Sequence, residues 1–347
     1  MLIFEAKEQI INWEYRDDQK SVSGSVLPAS PSRELLACIP ENPILAYVLP
    51  HGMDRFTAAV NRLDANRLRD LEDCGKLLPE ENQIVVEWAR FCLDNFPKHE
   101  HYMLCETALF HDLPSSARFY ALPHTTTGNI IRRYGSDGLC HQAALDHILG
   151  LMGRQPARLV SIHLSDRPNI ASFYHGHPVE TTAGFTSFEG IVSMHGIGDI
   201  DATITLDLLK KGLATAEVRD IFTKKSGLSA LKGQEIHITD LLRGQLAPTD
   251  PVRNLFVASL LKAIGAALAA LNGAEVMLWT VENIPIAIDF IGNMMKRLQF
   301  LGIQSLTVPL KGDHFWELTH KNSPLQVYVR QSNRWQELET LVKKSIS

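Results

Sequence analysis

The sequence predicts an α/β protein with two domains. The 347 residues are enough for two ordinary domains with substantial cores. Arg158–Leu164, Ile170–Tyr174 and Val179–Thr182 read as short strands joined by tight turns of Gly, Pro, Asn and Asp, which indicates an antiparallel meander. Helix-like and strand-like segments alternate on both sides of this meander, and that alternation is typical of an α/β domain.

The first fifty residues read mainly as strands. Leu2–Glu5, Gln9–Tyr15 and Ile44–Leu49 are apolar runs of strand length. Ser21–Pro31, rich in Ser, Pro and Gly, reads as a loop. Ser32 is a candidate N-cap for a short helix that runs through Ala37.

The following stretch contains two clear helices. Asn61–Asp73 is polar, without a predicted element, whereas Glu80–Asn95 is an amphipathic helix. Tyr102–Glu106 is the next predicted strand. Cys140–Leu151 reads as a helix that ends at Gly150 or Gly153.

Beyond the meander, capping signals define the helices. Two helices end at Gly212 and Gly227, and Asp250 followed by Pro251 is a strong start signal for a long apolar helix. The predicted helices are Thr203–Lys211, Thr215–Lys225, Pro251–Leu271, Pro285–Leu301 and Asn333–Lys344. The predicted strands are Glu275–Thr280, Ser305–Pro309 and Leu325–Val329.

Composition excludes several classes of function. With 45% apolar and 21% charged residues the chain is typical of a globular protein, and a net charge of -5 without a basic block argues against nucleic acid or anionic membrane as partners. The opening residues lack the pattern of a signal peptide, and Leu255–Leu271 is interrupted by polar residues, so we expect a buried helix there. Five cysteines without a CxxC pair predict reduced thiols and a cytoplasmic location.

Several collinear motifs resemble the acetate kinase (acetate/propionate kinase) family. They are ETALFHDLPSSARFYALP at Glu106–Pro123, RRYG…H at Arg132–His141, SIHL at Ser161–Leu164, GFTSFEG at Gly184–Gly190, GDID at Gly198–Asp201 and KKSGLSAL at Lys224–Leu231. The resemblance extends from about His51 to the C-terminus. It implies a two-domain actin-like, RNase H-like fold with mixed sheets flanked by helices. The first domain comprises residues 1–127 and the second residues 128–332, with a boundary near Thr125–Thr127. The resemblance implies that the final helix, 333–347, packs onto the first domain.

The resemblance also implies a catalytic site, and this chain departs from it at the charged positions. Where the family carries an arginine, a histidine and a second arginine, this sequence has Val48, Asp137 and, at or near the third position, Gly196. The acidic residue near the C-terminus of the family falls at about Arg334–Trp335. Phosphoryl transfer needs positive charge around the transferring group, so we interpret the chain as a degenerate member.

The loops that would hold nucleotide are altered as well. The family's small-residue phosphate loop near the N-terminus has no counterpart before Gly24, and its Gly-Asn-Gly loop is replaced by Ser165-Asp166-Arg167. The glycine-rich adenosine loop is shortened to residues 280–283. We therefore expect no cofactor. If residual family activity is retained, the expected cofactors are ATP and Mg²⁺.

Some matching positions remain candidate site residues. Glu106 corresponds to the family's catalytic aspartate and would hold Mg²⁺ or orient an acceptor; alternatively it is a partly buried carboxylate satisfied by Ser, Thr or backbone donors. The candidate cofactor contacts are His163, Asp166, Glu282 and Asn283. His163 could equally hold a turn at the end of a buried strand.

No metal site is predicted from the sequence. The pairs His99/His101 and His175/His177 are far apart in the chain, and surface turns explain them better than zinc. His111, Asp112 and Ser115 or Ser116 lack the nucleophile elbow of a hydrolase, so a triad there has little support.

Three hypotheses follow for the function. The first is a catalytically inactive regulatory or interaction protein, either a homodimer through the second domain, as the resemblance implies, or a partner of an active homologue. The second is a residual or repurposed ATP:carboxylate phosphotransferase that uses Glu106. The third is a binding module whose interdomain cleft holds a less anionic ligand. Binding measurements with ATP–Mg²⁺, acetyl phosphate and acetate discriminate among them.

Overall fold

The computed structural model describes residues 1–7, 10–16, 21–27, 44–123, 125 and 131–346. These residues form two mixed sheets flanked by helices, which confirms the predicted α/β class. The predicted helix Ser32–Ala37 and most of the predicted boundary Thr125–Thr127 lie outside the described residues.

The first sheet has six strands in the order β3-β2-β1-β4-β6-β5. Its central strands β1, β4 and β6 run parallel, and the outer pairs are antiparallel. The strands are β1 (Leu2–Lys7), β2 (Ile10–Arg16), β3 (Ser21–Val26), β4 (Ile44–Leu49), β5 (Val60–Arg62) and β6 (Glu100–Cys105).

The second sheet has seven strands in the order β11-β12-β13-β10-β7-β8-β9. The predicted meander is confirmed as β7-β8-β9, and β10 runs parallel to both β7 and β13. The strands are β7 (Arg158–His163), β8 (Asn169–Tyr174), β9 (His177–Thr181), β10 (Val276–Val281), β11 (Ser305–Lys311), β12 (Phe315–Thr319) and β13 (Gln326–Gln331).

Helices cover both faces of the two sheets. Those described are α1 (Ala65–Leu77), α2 (Pro79–Asn95), α3 (Ser115–Arg118), α4 (Gly138–Met152), α5 (Ala202–Lys210), α6 (Thr215–Lys224), α7 (Gly227–Lys232), α8 (Ile238–Leu242), α9 (Pro251–Ala270), α10 (Ile284–Arg297) and α11 (Arg334–Ile346). Short 3-10 turns occupy Ala108–Phe110 and Gln299–Leu301.

Helix α4 connects the two sheets. Leu139, in its first turn, packs with Leu338 and Val342 of α11 against Ile3 and Val48 of the first sheet. The later residues Ala144, Leu145 and Ile148 pack against β7, β8 and β10 of the second sheet. The start of α4 therefore lies where the two halves of the molecule meet.

The long apolar helix α9 belongs to the core of the second half. Among the described residues it is the helix long and apolar enough to cross a membrane, but the core helix of a globular protein meets the same test. Phe256, Leu260 and Ile264 are fully buried in the cluster that also contains Trp279 of β10. This packing agrees with the predicted buried helix.

Four sequence interpretations were wrong in detail. Ser21–Val26, assigned to a loop, is an edge strand, and Gly24 lets it pass under the Trp13 ring of β2, where an added Cβ would lie 2.8 Å from the ring. The polar stretch Asn61–Asp73 contains most of β5 and most of α1. Strand β12 was not predicted. Gly227 does not cap α6; it begins α7 with a φ of +73°.

Candidate functional site

The candidate site lies where parallel strands end. β4 and β6 end at Leu49 and Cys105 in the first sheet, and β7 ends at His163 in the second. Ligand sites in α/β proteins form at the carboxyl ends of such strands. Helix α4 starts at the same place, because the Gly138 N–H donates to the Glu106 carbonyl at 2.9 Å.

Glu106 follows β6 and is almost completely buried. Its Oε2 accepts the N–H of Leu139 at 3.2 Å, and its Oε1 accepts from the guanidinium of Arg334. Burial raises the pKa of Glu106, the Arg334 charge offsets part of this effect, and Asp137 adds to it. The sequence analysis expected Ser, Thr or backbone donors for this carboxylate. A backbone donor is present, but the arginine was not expected.

Arg334 is the first residue of α11 and binds two carboxylates. Its Nη2 donates to Glu106, and its Nε and Nη2 donate to Glu5 Oε1 at 3.1 and 2.7 Å. Burial acts to lower the pKa of Arg334, but Glu106 and Glu5 outweigh this and raise it well above the ordinary value. A positive charge therefore stands near the position where the resemblance implies an acidic residue.

Asp137 and His163 form the second charged pair of the site. Asp137 precedes α4 in a left-handed conformation, with a φ of +55°, and its Oδ1 lies 3.7 Å from His163 Nδ1. Burial acts to raise the pKa of Asp137, but His163 lowers it below the ordinary value. Burial likewise acts to lower the pKa of His163, yet Cys140 and Asp137 raise it. Each of these pKa shifts favours the charged form of its group.

Val48 and Gly196, where the resemblance implies two arginines, are uncharged. Val48 is buried on β4 and packs toward α11, beside Glu5 of the neighbouring parallel strand. Gly196 lies in a turn closed by Ser193, whose hydroxyl accepts the Gly196 N–H at 2.6 Å. An added Cβ at Gly196 would meet that hydroxyl at 2.7 Å, so this turn is shaped for glycine.

The other candidate cofactor contacts have structural partners. Asp166 accepts the N–H of Ile238 at 2.6 Å and pairs with His237 at 3.0 Å, so it fixes the start of α8. Asn283 caps α10 by accepting the N–H of Ile286 at 3.1 Å, and Glu282 beside it is exposed. The structure brings Glu106, Asp137 and His163 together, and it gives Asp166 and Asn283 these separate capping contacts.

A buried histidine supports the floor of the site. His141 Nε2 lies 3.1 Å from Asn169 Oδ1, and its Nδ1 lies 2.9 Å from the Ser161 hydroxyl. The amide oxygen needs a donor, so Nε2 carries the proton and the serine hydroxyl donates to Nδ1. Burial lowers the pKa of His141 to about 4, which keeps the ring neutral.

The two halves also meet at a turn after β4. His51 Nε2 donates to the Phe185 carbonyl at 2.8 Å, and the His51 ring packs edge-on against Tyr134. Arg132 is buried over the same tyrosine ring and is paired with Asp54. Here, as at Arg334 and His163, a carboxylate of the same chain pairs with the cationic side chain.

Mg²⁺ and ATP, which the resemblance implies, do not fit the residues present. Mg²⁺ requires oxygen ligands in near-octahedral geometry, but the facing oxygens of Glu5 and Glu106 both accept from a guanidinium. The loop that would meet nucleotide phosphate is closed on itself, since the Ser165 hydroxyl accepts the Arg167 N–H and donates to the Arg167 carbonyl. Arg167 itself donates to Ser187 at 3.1 Å.

Within the described ranges, no three His, Cys, Asp or Glu side chains are grouped to hold a metal ion. His101 is buried and satisfied by the Tyr47 hydroxyl and the Phe96 carbonyl, rather than exposed in a surface turn. His111, considered for a triad, faces Arg132 at 3.4 Å.

Sequence reasoning missed Glu5 and the role of Arg334. The available signal was a charged residue at an inward position of the apolar strand LIFEAK, which requires a buried partner. That partner lies 329 residues later in the chain, so no local pattern identifies it.

The chain matches known proteins along most of its length. The family model of the acetokinase family matches residues 44–334. The acetate kinase of Fervidobacterium nodosum is 31% identical over 266 residues, which cover 73% of this chain and 64% of that protein. The acetate kinase of Thermosynechococcus vestitus is 29% identical over 330 residues, which cover 91% and 77%. The first of these matches thus spans less than two thirds of its relative's length.

Solved structures agree on the fold. The acetate kinase of Entamoeba histolytica superposes with a TM-score of 0.84 at 19% identity, covering 99% of this chain and 98% of that one. The acetate kinase of Porphyromonas gingivalis gives 0.81 at 17% identity, covering 100% and 99%. At these identities the likeness establishes the actin-like fold alone. Because the family model matches far more than half of the sequence, the chain belongs to the acetokinase family.

Proposed function

We propose that this chain is an acetokinase-family protein without acetate kinase activity, which acts as a regulatory or interaction protein. The observation that carries the proposal is the Asp137–His163 pair. A carboxylate stands where the family resemblance implies a histidine, and it pairs with His163, a histidine that matches the family. A transferring phosphoryl group would meet a negative charge there instead of a positive one.

The two arginine positions strengthen this argument. A single arginine that stabilises a transferring phosphoryl group is worth roughly 10³–10⁵ in rate. Val48 is part of an apolar cluster and Gly196 part of a tight turn, so neither position offers a substitute cation. Losses within one site are not additive, but the loss of both arginines and the histidine exceeds what positioning alone can compensate.

No cofactor is expected in this proposal. The guanidinium between Glu5 and Glu106 and the self-closed Ser165–Arg167 loop both argue against an ATP–Mg²⁺ complex. ATP and Mg²⁺ would be needed only if residual family activity is retained.

An exposed apolar helix supports a role in interactions. Helix α5 has no buried residue, although Ile204, Leu206 and Leu209 are exposed on it. Exposed apolar clusters of this kind mark contacts with partners more often than isolated apolar residues do. We propose a homodimer through this second half of the chain, or a complex with an active homologue, in the cytoplasm, where the four described cysteines would remain free thiols.

The decisive test measures turnover and binding on the same preparation. Coupled assays follow ADP formation from ATP and acetate, and ATP formation from acetyl phosphate and ADP. Calorimetry titrates ATP–Mg²⁺, acetyl phosphate and acetate separately. We expect no turnover above buffer and no heat of binding, with an active acetate kinase as positive control. Turnover at the rate of that control would refute the proposal.

The second candidate is a residual or repurposed ATP:carboxylate phosphotransferase. Its support is the raised pKa and the strand-end position of Glu106, features that are common at catalytic carboxylates. If turnover is found, Glu106→Gln should abolish it, whereas Glu87→Gln, at an exposed position of α2, should not. Binding of a neutral ligand without turnover would instead favour a binding module.

A further inference from the structure

Two carboxylates from distant segments meet at one cation. Glu5 lies within β1, Glu106 follows β6, and Arg334 begins α11. The side chain of Glu106 is 11% exposed and those of Glu5 and Arg334 are each 27% exposed, so all three groups are largely removed from water. Asp137 lies close enough to raise the pKa of Glu106 further.

A cation is required at this position. Partly buried carboxylates that approach one another repel and lose hydration, and removing the partner of a buried charge is strongly destabilising. A bound divalent ion or a positively charged side chain can provide the compensation. Here the compensation is covalently attached: the Arg334 fork spans both carboxylates with donors on Nε and Nη2.

We infer that the guanidinium of Arg334 takes the place of a divalent cation between Glu5 and Glu106, so that the cleft does not bind Mg²⁺ and would become a divalent-cation site if this guanidinium were removed. The inference rests on the proposed function in taking this strand-end cleft as the family's phosphoryl-transfer cleft. It goes further, because it names the group that excludes the metal and ties that exclusion to the docking of α11.

The fixed cation has a structural consequence. Arg334 is the first residue of α11, which covers one face of the first sheet with Leu338 and Val342. The ion pairs therefore connect the start of this helix to β1 and to the end of β6. The charge balance of the cleft then depends on the chain itself and not on the concentration of Mg²⁺ in solution.

The test compares the full-length protein with three variants. Mn²⁺ is titrated into each, and free Mn²⁺ is followed by its electron paramagnetic resonance signal. Arg334→Gln leaves two carboxylates without their cation. Arg334→Gln combined with Glu106→Gln removes a carboxylate as well. Arg154→Gln is the matched control, because Arg154 forms an exposed pair with Glu275.

We expect no detectable Mn²⁺ binding by the wild type or Arg154→Gln, and an affinity of Arg334→Gln that lies roughly tenfold or more above the detection limit. The double variant should lose most of that affinity. Thermal unfolding in chelator and in Mg²⁺ provides a second readout, in which only Arg334→Gln should be stabilised by Mg²⁺. Folding of Arg334→Gln only when Mg²⁺ is present would likewise support the inference.

Several outcomes would overturn it. These are stoichiometric Mn²⁺ binding by the wild type, no gain for Arg334→Gln, or an Arg334→Gln protein that fails to fold with and without Mg²⁺. Mn²⁺ binding by the wild type without turnover refutes this inference and leaves the proposed function intact. Turnover in the presence of chelator refutes the proposed function and leaves the inference intact.

Discussion

Asn82 connects two segments at the rim of the cleft. Its side chain is completely buried in α2, its amide donates to the carbonyls of His51 at 2.8 Å and Cys74 at 3.2 Å, and its Oδ1 accepts the His51 N–H at 3.1 Å. In the turn after β4, the N–H and the carbonyl of His51 are therefore both satisfied by one side-chain amide. An apolar replacement would leave these groups buried without partners.

Asn82→Ala is expected to lower the free energy of unfolding by about 2–3 kcal/mol, since buried donors and acceptors lose their partners. Urea denaturation with an unchanged slope would measure this loss. Gln83→Ala, at the exposed neighbouring position, is the control and should change stability by less than about 0.5 kcal/mol. Equal effects of the two substitutions would contradict the assignment.

Two buried histidines predict a loss of stability in acid. Burial lowers the pKa of His51 and of His141 from 6.5 to about 4. As the pH falls, both histidines are protonated in the unfolded chain before they are protonated in the folded protein. Their contribution to the free energy of unfolding is therefore complete above pH 6.5 and is lost toward pH 4. The loss between about pH 7 and pH 5 should be about 2 kcal/mol per histidine.

Urea denaturation of the wild type and of His141→Gln at these two pH values checks this prediction. The variant should show a smaller loss, whereas His177→Gln, at an exposed position, should behave as the wild type. An identical pH dependence in all three proteins would speak against it. The pH dependence that His163 contributes has the opposite sign. Because its pKa is raised in the folded protein, His163 stabilises the fold below pH 6.5, and this contribution declines as the pH rises further.

At the scale of elements, α4 depends on a close approach at its first residue. A Cβ added at Gly138 would lie 2.2 Å from the Glu106 carbonyl oxygen, which is backbone and cannot move aside cheaply. By contrast, Gly150 of the same helix has no atom within 4 Å of an added Cβ. Substitutions at the two glycines therefore distinguish the effect of a steric contact, at Gly138, from the effect of helix propensity, at Gly150.

Gly138→Ala should destabilise the protein by about 1–3 kcal/mol, because the helix start must shift away from β6. Gly150→Ala should be stabilising by about 0.5–1 kcal/mol, as expected for replacing glycine inside a helix. Thermal or urea denaturation distinguishes these results. A stabilising effect at Gly138 would show that the approach is not tight.

The elements also show which sequence signals were sufficient. The meander, α2, α9 and α10 follow from apolar runs, caps and glycines that act locally. Helix α1 was missed, although Asp64 caps it by accepting the N–H groups of Asn66 and Arg67, because charged and polar residues dominate its sequence. Strand β3 is polar and exists through its pairing with β2, which no local pattern encodes.

At the scale of the whole molecule, α5 tests the proposed homodimer. Leu206 is 63% exposed on this helix, so Leu206→Glu should leave the free energy of unfolding of one subunit unchanged within about 0.5 kcal/mol. If α5 lies in the dimer interface, light scattering should report a dimer for the wild type and a monomer for the variant. Leu122→Glu, also exposed, is the control.

A monomeric wild type would remove the homodimer from the proposal and favour a heterologous partner. A dimer that persists in Leu206→Glu would place the interface elsewhere on the second half of the chain.

The sequence by itself determined the fold class and the family. Those features depend on local periodicity and on motifs such as RRYG and GFTSFEG, which are contiguous in the chain. The sequence also pointed to Asp137, Val48 and Gly196 as departures from the family pattern. It did not indicate which charged groups occupy the cleft instead of the family's arginines and histidine.

Only the tertiary structure decided that question. Arg334 lies 329 residues from Glu5 and 228 residues from Glu106 along the chain, yet the three share one set of ion pairs. Likewise Asp137 and His163 meet only because α4 lies between the two sheets. The partner of a buried charge is selected by packing in three dimensions, and that selection leaves no signal in the local sequence.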